Sequence, residues 1–216
     1  MASSYVRWLG LLTGFSALSL TTGAAAETEN ADWDGGYEQK SERRSDLAIG
    51  SFGGIALGSA LGYPNEIDKI DESEFASDTG VGMGSGGGVW LGVAFNDYFT
   101  FGIGTLGFGV KGGDLEASGG GFIFHVEGFP LFGAGKAFQD LGVFADFGAG
   151  GASIKGGTKP SDGGLMSIIG VGAVYEPLRL WRFAFGPGVS YTRMWSPSLT
   201  FDGVLIGGRV SFYGGP

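Results

Sequence analysis

Apolar residues alternate with small or polar residues in segment after segment of this 216-residue chain. At 98–105, for example, Phe99, Phe101 and Ile103 are separated by Thr100 and Gly102. A period of two predicts β-strands that have one apolar face and one different face. The other segments with this pattern are 46–58, 89–95, 121–128, 141–147, 165–175, 181–186 and 202–212. The sequence therefore predicts eight strands.

Glycine supplies 46 of the 216 residues and argues against helices. Each glycine in a helix interior costs about 1 kcal/mol relative to alanine. No segment outside the N-terminal region carries an apolar stripe with helical spacing. We therefore expect an all-β fold.

The N-terminal residues have the layout of a secretory signal peptide. Arg7 precedes an apolar run at 8–20, and Ala24, Ala25 and Ala26 form a small-residue cleavage site. We predict a signal peptide at 1–26, a flexible polar periplasmic tail at 27–45 and a barrel domain at 46–216. The chain has no cysteine, which excludes a lipid anchor on cysteine.

The segments between the strands predict which end of each strand lies outside the cell. Short links follow the second and sixth strands, whereas longer polar links are expected at 59–81, 111–118 and 156–163, with a shorter one around 196–198. Short turns at one end and long loops at the other are typical of transmembrane barrels. An exported chain would place the long loops on the outer side.

The two faces of the strands differ in a way that favours lipid on the outside. One face is rich in aromatic and aliphatic residues, and the other is mostly glycine, alanine and serine with few charges. A soluble monomer rarely exposes such a large apolar surface, and a closed barrel satisfies its backbone hydrogen bonds inside a bilayer. The expected fold is an eight-stranded antiparallel up-and-down transmembrane β-barrel. A soluble lipocalin-like carrier, with the aromatic face inside, is a further alternative.

Aromatic residues gather near the predicted strand ends, as in the interfacial girdles of membrane barrels. The residues assigned to these girdles are Phe95, Tyr98, Tyr175, Trp181, Trp195, Phe212 and Tyr213.

The last strand reads GVLIGGRVSFY at 203–213, which alternates apolar residues and ends on an aromatic pair. With the signal peptide and the strand pattern, this ending resembles the small outer-membrane β-barrel family of Gram-negative bacteria, the OmpA-like, OmpX-like and OmpW-like barrels. The chain departs from that family by continuing for three residues, 214–216. The resemblance implies a barrel in the outer membrane, inserted by the barrel-assembly machinery.

Charged residues on the face opposite the aromatics are candidates for a lumen network. The candidates are Glu127, Asp146, Arg182 and Arg209, together with His125. Buried charges need partners, so we expect acids on neighbouring strands to meet arginines across a narrow lumen and plug it. A small polar pore is the alternative.

No catalytic or cofactor site is expected. His125 and Glu127 share a strand face, and such a pair can activate a serine, but no serine follows His125 at the spacing that lipid-modifying barrels use. The single histidine and the absence of cysteine disfavour a metal site. The net charge of −9 excludes a nucleic-acid partner.

An acidic segment lies in the first long loop. Its members are Glu66, Asp68, Asp71, Glu72, Glu74 and Asp78. Outside the cell, such a loop meets lipopolysaccharide or a surface partner. We therefore expect a monomeric, non-catalytic barrel with an envelope-structural or surface-interaction role. A channel for small solutes or hydrophobic compounds is the alternative.

Overall fold

The computed structural model describes residues 43–63, 77–156 and 161–215. The predicted signal peptide and most of the predicted tail lie outside these ranges. The strands are β1 (Asp46–Gly62), β2 (Ser77–Asp78), β3 (Gly82–Asn96), β4 (Phe99–Gly112), β5 (Leu115–Gly128), β6 (Leu141–Lys155), β7 (Ser161–Asp162), β8 (Met166–Tyr175), β9 (Leu178–Leu180), β10 (Phe183–Trp195) and β11 (Leu199–Tyr213). A 3-10 turn spans Phe132–Ala134. No helix in the described ranges is long and apolar enough to cross a bilayer.

The long strands form a closed antiparallel barrel. The order around the ring is β1, β3, β4, β5, β6, β8, β10 and β11, and β11 returns to β1. That last pairing runs from Ala48 opposite Tyr213 to Gly62 opposite Leu199. The short β9 continues the line of β8 along β10. The predicted eight-stranded antiparallel barrel is confirmed.

The register makes the strands tilt and keeps the barrel narrow. A path of directly paired residues that starts at Gly50 and crosses every strand once returns to β1 at Ala60, ten residues further along. An eight-stranded barrel with such a stagger has strands tilted by roughly 40° and a lumen that side chains fill. Inward-facing residues therefore touch across the barrel.

Several strands are longer than the alternation predicts. The glycine-rich segments 84–88 and 119–121 lie inside β3 and β5. The alternation did not reveal them, because a strand with glycine on both faces shows no contrast between its faces. The expected loop at 111–118 is wrong. It is a tight turn at Gly113–Asp114, with a glycine φ of 59° at its first position.

The barrel has two distinct ends. One end, here called the terminal mouth, holds residues 43–45 and 214–215, the turns 97–98 and 181–182, and the segment 129–140. The other, the distal mouth, holds the turns 113–114 and 196–198. Backbone hydrogen bonds extend the seam of β1 and β11 into the terminal mouth, from Gly214 N to Leu47 O and from Gly215 N to Ser45 O.

Candidate functional site

The outward face of the barrel is apolar over most of its height. Along β10 the outward residues are Phe183, Phe185, Pro187, Val189 and Tyr191. On β3, Val89 and Leu91 are more than half exposed. Their neighbours on every other long strand follow the same pattern, so the exposed apolar surface is continuous around the ring. This surface is far larger than a soluble monomer tolerates.

Charged residues lie on the outer face of several strands near the distal mouth. Lys111 and Lys155 lie directly opposite Glu116 on the two strands that flank β5. The Nε of Arg193 lies 3.7 Å from Asp202 Oδ1. These charges mark the distal end of the apolar surface on β4, β5, β6, β10 and β11.

Six of the seven predicted girdle aromatics lie on the outside of the barrel. Phe95, Tyr98, Tyr175 and Trp181 are exposed at the terminal mouth, Trp195 is exposed near the distal mouth, and Phe212 is partly exposed. Tyr213 is different and lies inside the lumen, 2% exposed. It has the same parity as the inward residues of β11, so its assignment to the girdle is wrong.

The lumen holds a buried ion-pair cluster centred on Arg209. Its Nη2 lies 2.6 Å from Glu127 Oε2, and its Nε lies 3.0 Å from Glu176 Oε1. The same Nε donates a hydrogen bond of 2.8 Å to Ser211 Oγ. Tyr213 donates its hydroxyl to Glu176 Oε2 at 3.1 Å. The guanidinium therefore joins two acids inside the barrel.

His125 extends this cluster towards the middle of the barrel. It faces Asp146 directly across β5 and β6, and its Nδ1 lies 2.7 Å from Asp146 Oδ1. Its Nε2 lies 3.9 Å from Glu127 Oε2. The indole of Trp90 stacks on the imidazole with ring centroids 4.7 Å apart. The structure thus brings together His125, Glu127, Asp146 and Arg209.

Arg182 does not join the cluster, and its prediction as a lumen residue is wrong. It lies in the turn that precedes β10, and its guanidinium packs on Trp181, 5.1 Å from the ring centroid. Trp181 has a left-handed backbone with φ of 57°. This turn breaks the alternation that would have pointed Arg182 inward.

Arg44 fills the terminal mouth instead. It is fully buried, and its guanidinium carbon lies 3.4 Å from the centroid of Phe129. Its Nη2 lies 2.9 Å from Asp140 Oδ1 and 3.7 Å from Glu176 Oε2. This residue belongs to the segment predicted as a flexible tail, and here its side chain is part of the barrel interior.

Further charges tie the segment before β1 to the terminal mouth. Asp97 Oδ1 accepts hydrogen bonds from the backbone nitrogens of Arg43 and Arg44, at 2.7 and 2.9 Å. Asp140 also pairs with Arg43 at 3.2 Å and with Arg179 at 3.6 Å. The ion pairs therefore continue from the lumen cluster to the mouth.

Sequence reasoning missed several members of this network. Glu176 continues the even-numbered inward series of β8, and that parity was the signal that could have found it. Arg44 carried no such signal, because the exposed Asp46, with a left-handed φ of 60°, interrupts the inward series of β1 before it. Asp140 and Arg179 lie in irregular or very short segments and carry no such signal.

Glycines on the inward face make room for the large lumen side chains. A side chain at Gly50, Gly102 or Gly104 would collide with Trp90. A side chain at Gly172 would collide with the ring of Phe144. Part of the glycine content of the strands is therefore explained by the space that the lumen aromatics Trp90 and Phe144 occupy.

The distal half of the lumen is apolar. Its buried residues are Ala56, Ala60, Val110, Ala117, Ile123, Ala152, Ile154, Met166, Ile168, Met194, Leu199 and Phe201. Between this cluster and the charged cluster lies a cavity of about 60 Å³. Its lining includes His125, Asp146 and Arg209, so polar groups border it on one side.

The acidic loop lies mostly outside the described residues. This applies to Glu66, Asp68, Asp71, Glu72 and Glu74. Asp78 is described, and it is an exposed residue of β2 that lies opposite Leu61.

No protein-family model and no curated protein match this chain. The solved structures that are similar to it include the following three. Neisserial surface protein A is 12% identical with a TM-score of 0.45, over 76% of this chain and 96% of that one. Ail, the attachment invasion locus protein of Yersinia pestis, solved with sucrose octasulfate, is 12% identical with a TM-score of 0.47, over 78% and 99%. The outer membrane protein AlkL, solved in lipid bilayers, is 13% identical with a TM-score of 0.35, over 88% and 97%. At these identities the likeness concerns the fold alone.

Proposed function

We propose that this protein is an integral outer-membrane β-barrel with a non-catalytic role in envelope structure or surface interaction. The observation that carries the proposal is the combination of a continuous apolar outer surface with charges gathered inside a closed barrel. In water this arrangement exposes the wrong face. In a bilayer the same arrangement places apolar residues against lipid, while the buried charges of the described residues pair with one another inside the barrel.

The height of the apolar surface supports a membrane span. On β10 the outward apolar residues run from Phe183 to Tyr191, about the nine to eleven residues that a tilted strand needs to cross a bilayer. Closure of β1 on β11 removes the exposed strand edges that lipid does not tolerate.

The orientation follows from the predicted signal peptide. An exported chain leaves the terminal mouth in the periplasm and the distal mouth at the cell surface. The acidic loop then meets lipopolysaccharide, whose phosphates it would reach through divalent cations. We expect the barrel-assembly machinery to insert the chain as a monomer, with its last strand closing the ring.

The proposed state of the lumen is closed. Ion pairs fill the terminal half, and buried apolar side chains fill the distal half. His125 is held by Asp146 and covered by Trp90, which favours a structural role over catalysis. We propose no cofactor and no catalytic residue.

A channel for small solutes or hydrophobic compounds is the second candidate, because the lumen holds the cavity described above. The lipocalin-like carrier does not agree with the structure. Its aromatic face would line the interior, whereas the residues of that alternation, such as Phe101 and Phe124, point outward.

Two measurements test the proposal. Membrane fractionation followed by electrophoresis of unheated and boiled samples should find the protein in the outer-membrane fraction, with a mobility that shifts on boiling. A soluble protein without a shift would overturn the membrane assignment. In planar bilayers the folded protein should show no steady conductance. Discrete conductance steps in the unmodified protein would instead support the channel.

A further inference from the structure

The cavity in the middle of the lumen has two chemically different sides. Its apolar side includes Phe52, Phe108, Phe144 and Leu205. Its polar side includes Asp146, Ser190 and Thr192. An apolar pocket with a few convergent polar groups is the usual form of a small-molecule site.

The polar side offers hydrogen-bonding groups that the described part of the protein leaves unused. The hydroxyls of Ser190 and Thr192 make no hydrogen bond among the described residues, although these residues are only 6% and 8% exposed. Asp146 binds His125 through Oδ1, and its Oδ2 has no hydrogen bond in the same set. These three oxygens are not fully enclosed by protein, and their residues line the cavity, so each oxygen is free to bond a molecule that occupies it.

Gly170 keeps this polar side open. A β-carbon at this position would lie 3.4 Å from both Asp146 Oδ2 and Thr192 Oγ1. The carboxylate and the hydroxyl therefore border one common space, and any larger residue would occupy it.

The size and the walls of the cavity define the class of ligand. A water needs about 10–15 Å³ of such volume, so 60 Å³ holds a molecule of roughly four to six non-hydrogen atoms. Buried water needs two to four polar partners, and the apolar side offers none. A short molecule with one hydroxyl and a hydrocarbon chain satisfies both sides.

We propose that this cavity binds a small neutral alcohol, with its hydroxyl on Ser190, Thr192 and Asp146 and its carbon chain against Phe108 and Leu205. Glu127, Glu176 and Asp140 pair with arginines, and Asp146 pairs with His125, so no acid of the described lumen is left without a partner to select an ion. The ligand reaches the site from the distal side, where the buried Met166 and Met194 have flexible side chains that can move aside. This inference concerns the lumen and holds whether or not the barrel conducts.

The test titrates butan-1-ol into the ¹⁵N-labelled mature protein folded in detergent micelles. The indole N–H signal of Trp90, which lines the cavity, reports binding. The signals of Trp181 and Trp195, which are exposed on the outer face, report alcohol dissolved in the micelle. We expect a saturating shift at Trp90 and a linear shift at the two outer tryptophans.

Variants identify the binding groups. T192V and S190A should each weaken binding roughly five- to tenfold, because each removes one hydrogen bond. T192S keeps the hydroxyl and should restore the affinity. V189A changes the neighbouring outward residue and should leave it unchanged. Folding of each variant is checked by its heat-shifted mobility.

Two results would overturn the inference. The first is a Trp90 shift that stays linear in the unmodified protein, which means that the cavity holds water only. The second is an equal butan-1-ol concentration at half-saturation for the unmodified protein, S190A and T192V. That result would mean that the alcohol does not bind these hydroxyls. If T192V fails to fold, the comparison of the butan-1-ol affinity of S190A with that of the unmodified protein still tests the inference.

Discussion

Arg209 and Glu127 join opposite walls of the barrel. Their strands, β11 and β5, are four places apart in either direction around the eight-membered ring. Neighbouring strands are about 4.8 Å apart, yet Arg209 Nη2 lies 2.6 Å from Glu127 Oε2. The pair therefore spans the full width of the lumen, and both side chains are buried.

Removing the guanidinium should strongly destabilise the barrel. R209A leaves Glu127 and Glu176 buried without their shared partner, and breaking a buried ion pair costs about 3–5 kcal/mol. We expect a free energy of unfolding lower by about this amount, measured by urea titration of the folded protein in lipid vesicles. R193A is the matched control. Arg193 is half exposed and 3.7 Å from Asp202, so its loss should cost less than about 1 kcal/mol. Equal costs for the two variants would contradict the buried bridge.

Arg44 and Arg43, which precede β1, should also differ in how much their removal lowers the free energy of unfolding. R44A removes a fully buried side chain from Asp140, Glu176 and Phe129, and we expect the free energy of unfolding to fall by about 3–5 kcal/mol. R43A removes a partly exposed side chain and keeps the backbone hydrogen bond to Asp97, so it should cost about 1 kcal/mol or less. The same urea titration compares them. A larger loss in R43A would show that the segment does not sit in the mouth as described.

Substitution by leucine should impair folding at Gly172, on the inner face, but not at Gly208, on the outer face. G172L places a side chain against the ring of Phe144 and should lower the folding yield severalfold. G208L points into open space on the outer face and should fold normally. The yield of the heat-shifted band measures both. Gly156 is unsuitable as a control because its φ of 95° strains any other residue.

Lipid-borne quenchers should distinguish the inner and outer tryptophans. Variants that retain only Trp90, only Trp181 or only Trp195 are folded into vesicles that contain brominated lipid. We expect strong fluorescence quenching at Trp181 and Trp195, which are exposed on the outside, and weak quenching at Trp90, which is buried in the lumen. Strong quenching of Trp90 alone would mean that the faces of the sheet are reversed.

The strand count could be predicted because the outward residues of each strand differ strongly from the inward ones. The full length of β3 and β5 could not be predicted, since glycine on both faces removes the contrast between inward and outward residues. The prediction that Arg182 lies in the lumen was wrong for a related reason. Its parity with Ala184 holds only if the strand reaches back to Trp181, and the left-handed turn there ends the alternation.

The lumen network could be predicted only in part. Alternation places Glu127, Asp146 and Arg209 inside, and the same rule applied to Glu176 and Tyr213 would have added both. Which residues meet across the barrel depends on the stagger between strands. A single sequence does not specify that stagger, so the bridge from Arg209 to Glu127 follows only from the three-dimensional register.

The seam between β1 and β11 has a consequence for the order of folding. It joins β1 to β11, which are far apart in the sequence, so it cannot form before β11 has been made and delivered. Arg44 and Tyr213, from the two sides of that seam, both contact Glu176. Their contacts therefore belong to the final step of assembly, and late contacts govern how slowly a folded protein comes apart. We therefore expect the contacts of the terminal mouth to determine how slowly the folded barrel unfolds.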